Sequence, residues 1–406
     1  MRLPLRTAFA DPIAIDFGWS STKVLQCARS KVLAAGQIAV DPDTAADLDA
    51  RLATVRDALP KLLRDGGFVG NTVVMALPAH HTILRTLQLD HDEHAEAAMM
   101  AQLPDTSEAL MVRTIEVDRP AASRREVICQ AVPRSVVLKH VELLHALKLE
   151  VAAVTSQAGP IVAAFDHIHR RTSDGATATM YVDMGAGSTR VVIAHGRQVV
   201  QARSVAVGGQ HFDDRVADVM QCSHAEARAH RLLGDVPVME GHADAADAAW
   251  PAMLSFERRV GAPTPSLGPD LDGLPVQAAT VDVSVLLETL ADELRLCLRQ
   301  HAATWPHVNL NRVVFTGGEA RQPWLCRDLV RAVSLPGQIG DPLAALEHAD
   351  QLTSPDDWSD RPRPDWSLCV GMSALHSNED AQKGRVKALL ASLGRAVAAR
   401  GFAHAH

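Results

Sequence analysis

The sequence predicts an α/β protein built as two similar lobes facing each other across a cleft. Three observations carry that expectation. A phrase occurs twice: Ile15-Asp16-Phe17-Gly18-Trp19-Ser20-Ser21-Thr22-Lys23-Val24 returns as Val182-Asp183-Met184-Gly185-Ala186-Gly187-Ser188-Thr189-Arg190-Val191. Each copy opens a series of strand-like segments followed by helical stripes. The 406 residues suffice for two or three domain-sized cores. A repeat so widely spaced does not fit a solenoid.

In chain order, Ile13 to Val40 predicts two or three successive strands, closed at Asp41-Pro42-Asp43. Residues 44–63 predict a helix, because Leu48, Leu52, Val55, Leu59 and Leu62 recur at helical spacing. Val73 to Pro78 and Thr82 to Leu89 follow as strands, His91 to Leu103 as a helix. Leu110 to Val117 and Glu126 to Ala131 predict a strand pair, Arg134 to Leu147 an amphipathic helix, and Val151 to Val154 a short strand. Gln157 to Arg170 is expected to be a helix crossing between the lobes, with Gly159-Pro160 near its start.

The second lobe opens with Thr179 to Asp183, Arg190 to His195 and Gln198 to Val207 as a meander, and Gly208-Gly209-Gln210 then turns into a helix. A second helix begins at Ser223, with Glu226 three residues on as a capping box. Residues 236–280, rich in Ala, Asp, Pro and Gly, form a variable excursion or mobile loop in this reading. Val281 to His301 is a long helix, and Arg312 to Phe315 a strand leading into Thr316-Gly317-Gly318-Glu319-Ala320. Trp366 to His376, which contains Gly371, is a small-residue helix suited to close packing.

Composition excludes several functions. A net charge of −8 argues against non-specific nucleic-acid binding, which needs a basic face. Six scattered cysteines without a CxxC fit neither a zinc site nor a disulfide framework, and point to a reducing compartment. No apolar run approaches the ~20 residues of a membrane span, so the expectation is a cytoplasmic protein. The histidine groupings, His80-His81 among them, lack the pattern of a zinc site and are assigned to solvated surface.

The doubled motif suits two turns holding one polyphosphate. A Gly-Ser/Thr turn leaves backbone N–H groups free to bind anions. Asp16 and Asp183 would stand at the strand ends facing the cleft. Carboxylates beside phosphates call for Mg²⁺, held through its waters. Lys23 adds a positive charge, whereas Arg190 is not assigned to the phosphates. Two meander-then-helix units joined by crossing helices describe the actin/Hsp70-like, ribonuclease H-like nucleotide-binding fold.

The same residues resemble the PilM family of type IV pilus assembly proteins, relatives of FtsA, from about residue 11 to 376. The first phosphate motif is Ala14 to Val24. Ala76-Leu77-Pro78 with Arg85-Thr86-Leu87-Gln88-Leu89, and Ala131-Val132-Pro133-Arg134 through Leu144, resemble the ends of the family's extra subdomain. Val182 to Val191 is similar to the second phosphate motif, Phe315 to Ala320 to the adenosine motif, and Val370 to Leu375 to the closing helix.

The resemblance implies ATP and Mg²⁺ as ligands and weak or no ATPase activity. Nucleotide contacts would come from Gly18, Ser20, Ser21, Thr22 and Lys23, and from Gly185, Ala186, Gly187, Ser188 and Thr189. Further contacts would come from Gly208, Gly209, Gln210, Glu226, Gly317, Gly318 and Glu319. Asp16 and Asp183 would hold the metal, and Asp16 and Gln157 would serve catalysis, Gln157 by orienting a water. The partner implied is the short N-terminal cytoplasmic tail of a PilN-like inner-membrane protein.

The implied layout is a first lobe at 11–177, with an extra subdomain at about 75–155 and closing helix 366–376 returning to it. The second lobe spans 178–365, with a helical subdomain at about 208–303, and a tail spans 377–406. The sequence departs from the family pattern at Asp213, Arg228 and Arg231, where a Thr and a ribose-binding Glu/Lys pair are usual. The tail carries Val386, Leu389, Leu390, Leu393 and Val397 on one stripe with basic flanks. That helix, 382–402, either lies on an anionic membrane surface or docks on the body. Self-association is a further expectation. The alternatives are an FtsA-like membrane-associated cytoskeletal protein, a nucleotide-free pseudo-ATPase and a small-molecule kinase of the same fold.

Overall fold

Two five-stranded sheets of one design carry the chain. The computed structural model describes residues 10–28, 30–103, 108–119, 123–168, 177–233, 281–347 and 362–377. The expected loop 236–280 and helix 382–402 lie outside them. Sheet one has the order β3-β2-β1-β4-β8: β1 Ile13–Phe17, β2 Ser21–Ala28, β3 Lys31–Ala39, β4 Thr72–Ala76 and β8 Glu150–Thr155. Its first three strands form an antiparallel meander, and β4 and β8 run parallel to β1.

Sheet two repeats this as β11-β10-β9-β12-β13, with β9 Ala178–Met184, β10 Thr189–His195, β11 Gln198–Val205, β12 Leu310–Thr316 and β13 Gly337–Ile339. Again the first three are antiparallel and the other two parallel. Every residue of β9 is buried, as a central strand covered on both faces requires.

Helices cover both sheets. The outer face of sheet one packs on α1 (Leu48–Asp65) through Leu52, Val55 and Leu59, and on α3 (Arg134–Ala146) through Val136, Leu143 and Leu144. Helix α1 starts at Leu48, where its apolar stripe begins, rather than at residue 44, because Pro42–Thr44 first makes a separate 3-10 turn. Asp47 then caps the helix by accepting from the N–H groups of Asp49 and Ala50. Helix α2 is Ala95–Ala101, shorter than expected, since residues 90–93 form a turn before it.

Between the lobes runs α4, Ala158–Ala163. The expected helix from Gln157 to Arg170 stops there: the chain bends to bury Phe165, which stacks on Tyr181 at 5.6 Å, and only a 3-10 turn follows at Asp166–Ile168. On the second lobe lie α5 (Gly209–Met220), α6 (His224–Leu233), α7 (Ser284–Thr304) and α8 (Pro323–Val333), with α6 packed on α5 and on the 3-10 turn Pro42–Thr44. The last described helix, α9 (Ser367–Leu375), packs on α4, β1 and β2. Gly371 allows that approach, because a Cβ there would stand 1.8 Å from the Pro160 carbonyl oxygen. One continuous core therefore joins the inner face of sheet one, α4, α9 and sheet two.

A three-stranded antiparallel sheet, β5-β7-β6 (β5 Ile83–Leu89, β6 Leu110–Val117, β7 Arg125–Pro133), has its own core with Met99 of α2. It is inserted between β4 and β8, yet it leans on the other lobe. Leu84 N–H donates to Ser204 Oγ at 2.9 Å, and Thr86 Oγ1 donates to the Ala202 carbonyl at 3.2 Å. Ser204 Oγ donates in turn to the Thr82 carbonyl at 3.1 Å.

Candidate functional site

The doubled sequence motif becomes a doubled register. Lys23 stands directly across from Asp16 in the β1–β2 pair, and Arg190 directly across from Asp183 in the β9–β10 pair. The two turns that follow β1 and β9 face one hollow of about 590 Å³. Asp16, Gly18, Ser20, Ser21 and Lys23 line it from the first lobe. Asp183, Gly185, Ala186, Gly187 and Arg190 line it from the second, joined by Gly317, Gly318 and Glu319.

Glycine is needed where these turns close. A Cβ on Gly18 would sit 2.7 Å from the Ser21 carbonyl oxygen. Gly317 has φ +85°, and its Cβ would meet the Met184 carbonyl oxygen at 2.4 Å. The turns are also held from behind. Arg51 Nη2 donates to the Gly18 carbonyl at 2.7 Å. At the second turn, Gly209 N–H donates to the Gly185 carbonyl at 3.1 Å and Gln210 N–H to the Ala186 carbonyl at 2.8 Å.

Charge is distributed unequally between the halves. Asp183 is buried and bonded by the Arg190 guanidinium, so the residue left without a phosphate role by the sequence reading belongs to the site. Lys23 Nζ instead donates to Ser21 Oγ at 3.2 Å and lies 3.9 Å from Asp365. Burial raises the Asp16 carboxyl to about 6, against the opposing pull of Lys23 and Arg190. Burial also acts on Asp365, but Lys23 and Arg363 outweigh it and hold that carboxyl below its ordinary range.

Around the second turn, Ser188 Oγ and the Nε and Nη1 of Arg190 are buried without a hydrogen-bond partner. Buried unpaired donors are uncommon and costly. Here they fit an anion. Among the described residues no three His, Cys, Asp or Glu side chains are gathered to cage a metal directly. Two separate carboxylates beside an anion seat suit Mg²⁺ bound through water.

Other expected residues lie elsewhere. Thr22 and Thr189 are buried in their strands, and Thr189 Oγ1 donates to the Val207 carbonyl at 2.7 Å. Gly208, Gly209 and Gln210 stand behind the second turn and support it rather than line the hollow; a Cβ on Gly208 would meet Gly185 O at 2.6 Å. Gln157 does not reach the hollow: it is buried, and its side-chain amide donates to the Leu77 carbonyl. Glu226 is exposed at the start of α6, where its carboxylate caps the N–H of Ser223 at 2.9 Å. Two positions further on, Arg228 lines the hollow instead.

Two of the departures noted in the sequence, Asp213 and Arg231, turn out to be joined. Arg231 is buried, with Nε on Asp213 at 2.6 Å and Nη1 on Glu319 at 2.5 Å. Glu319 therefore spends its carboxylate on Arg231, next to Gly209, whose missing Cβ would clash with it. Burial raises the Asp213 carboxyl, although Arg231 pulls the other way. Sequence reasoning missed Trp19, Arg51, His80, Arg321, Arg363 and Asp365. His80 in particular is not on solvated surface, because the 3-10 turn Ala79–His81 carries it beneath Gly187 and against Trp19. Its neighbour Pro78 and the closeness of the second turn decide this, and neither has a periodic signature.

The family model described as type IV pilus assembly protein PilM matches residues 14–240. No curated protein matches the chain. A solved PilM-PilN type IV pilus biogenesis complex is similar at 16% identity and a TM-score of 0.62, covering 90% of this chain and 98% of that one. The ethanolamine utilization protein EutJ from Carboxydothermus hydrogenoformans aligns at 12% identity and TM-score 0.47, over 93% of this chain and 91% of its own. MreB5 of Spiroplasma citri bound to ADP aligns at 11% identity and TM-score 0.45, over 92% and 98%. The fold is the actin-like ATPase fold that the repeat predicted.

Proposed function

The chain belongs to the PilM family of type IV pilus assembly proteins, and on that footing we propose that it is an ATP-binding scaffold of a type IV pilus or related secretion machine. In this reading it works in the cytoplasm, at the inner-membrane face. It holds the N-terminal tail of a PilN-like membrane protein and does so according to its nucleotide state. The observation that carries the nucleotide half is the convergence of both turns on one hollow beside buried donors that lack acceptors.

Asp16 and Asp183 would hold Mg²⁺ through water, and the bound metal would neutralise phosphate charge. Lys23, Arg190 and Ser188 would take phosphate oxygens, and Gly317–Gly318 would face the nucleoside. Positioning supplies most of the rate in phosphoryl transfer. With Gln157 committed to Leu77, a binding role with weak or no hydrolysis is better supported than turnover. Asp183, Glu319 and Asp365 are each paired with an arginine, and with Asp16 assigned to the metal no lining carboxylate among the described residues is left over as a kinase base.

For the partner, the support is surface chemistry. Strand β6 is an edge strand of the three-stranded sheet, on the side away from β5, and exposes Ile115, while Leu138 is exposed on α3. An extended peptide can add to such an edge. Among the described residues no helix is long and apolar enough to cross a membrane, so a membrane-bound partner would supply the anchor. We also propose lipid contact by residues 382–402, where the sequence predicts a basic amphipathic helix, and self-association of the chain.

A second reading, a pseudo-ATPase, has one observation in its favour: Glu319 is tied to Arg231, and Arg228 stands where a ribose-binding acid is usual in the family. Calorimetry with Mg·ATP on the wild type and Asp16→Ala separates the two. Heat of binding lost in the variant supports the switchable scaffold; no heat in either supports the pseudo-site. Pull-down by a PilN-like N-terminal peptide, with and without ATP, tests the partner.

A further inference from the structure

His80 lines the hollow from the 3-10 turn Ala79–His81, between β4 and β5. Arg51 of α1 reaches it: Nη1 lies 3.2 Å from His80 Nε2. A guanidinium offers only hydrogens. Nε2 must therefore accept, and the single proton of a neutral ring sits on Nδ1. The ring is neutral, because burial, reinforced by His81, Arg51 and Arg190, pushes its pKa down to about 2.

That Nδ1–H is buried and has no hydrogen-bond partner. It faces the tip of the second turn, where a Cβ on Gly187 would lie 3.2 Å from Nδ1 and 3.1 Å from the Trp19 ring. Trp19 meets the imidazole edge-on, with centroids 4.5 Å apart, and so limits its rotation. Ser188 Oγ and two guanidinium nitrogens of Arg190 at the same turn also lack partners. Of these residues, His80 from the first lobe and Arg190 from the second both line the hollow, so unmet donors of both lobes belong to one site.

We infer that His80 is a ligand-binding residue of the cleft: its Nδ1–H, locked in that tautomer by Arg51, donates to an oxygen of the phosphate chain seated at the Gly185–Gly187 turn. The inference rests on the phosphate-site reading above. It requires only that Gly187, which has no side chain, yield to admit the oxygen. A neutral donor adds direction to a site where Lys23 and Arg190 already supply charge. His80 also stands just ahead of β5, the strand that opens the three-stranded sheet. A bond made there ties the ligand to the segment that would carry the partner.

The test is nitrogen NMR of isotope-labelled histidine on the full chain, with the His80 signal identified by its loss in His80→Asn. The ligand-free ring is expected as the Nδ1–H tautomer, and its Nδ1 signal should move when magnesium tripolyphosphate is added. By calorimetry, His80→Leu should lose roughly tenfold in Mg·ATP affinity, the size of one hydrogen bond to a charged group. His80→Asn, whose amide N–H can take the place of Nδ1–H, should stay within about threefold of the wild type.

An Nε2–H tautomer, equal losses in the Leu and Asn variants, or no loss in either overturns the inference. A wild type that binds neither ATP nor tripolyphosphate overturns the phosphate reading, and this inference with it. A wild type that binds ATP with His80 indifferent overturns the inference alone.

Discussion

Arg190 stands across the β9–β10 pair from Asp183 and bonds its carboxylate, with both side chains buried. The matching pair in the other lobe, Lys23 and Asp16, has the same register but no such bond. Removing one member of a buried pair leaves an uncompensated charge, at a cost of about 3–5 kcal/mol. Arg190→Met should therefore destabilise the protein by roughly 3 kcal/mol in denaturant unfolding. Added Mg²⁺ should restore part of that loss by neutralising Asp183.

Asp16 gives a pH signature. Its carboxyl is raised from 3.8 to about 6 in the folded protein, so the folded state holds its proton more tightly than the unfolded chain. Stability from this group falls as pH rises from about 4 to about 6 and stays lost above that. Asp16→Asn has no charge to desolvate. Without metal it should match the wild type near pH 4 and exceed it by up to about 3 kcal/mol at pH 7. Mg²⁺ with ATP should stabilise only the wild type. Unfolding curves across that range check both statements.

Arg228 lines the hollow two residues beyond the Glu226 cap. If the resemblance places a ribose there, a carboxylate at this position would accept from its hydroxyls. Arg228→Glu should then tighten ATP binding by roughly fivefold, about one hydrogen bond, while leaving tripolyphosphate binding unimproved. Parallel calorimetric titrations with the two ligands measure the difference.

The α4–α9 contact depends on an absent side chain. A methyl on Gly371 would press into the Pro160 carbonyl, and neither helix can move without disturbing both sheets. Gly371→Ala should cost about 3 kcal/mol, at the upper end of overpacking penalties, and lower the melting temperature accordingly. The same substitution at Gly318, where no atom lies within 4 Å of the added Cβ, should be far milder.

Local chemistry made the architecture legible. Strand and helix patterning, the paired Asp-then-glycine phrases and the order of motifs together predicted the actin-like fold, and Asp16, Asp183 and both turns do meet in one hollow. Those features are written in short stretches of chain, where period and turn residues act over a few positions. The sequence could not show what each side chain meets after folding. Gln157 turns to Leu77, Glu226 caps its own helix, and Glu319 bonds Arg231, because partners far along the chain compete for the same polar atoms. His80 becomes part of the cleft only when the second lobe brings Gly187 over it. Unpaired groups cannot remain buried cheaply, so tertiary packing, which decides who is near whom, assigns each of them a role.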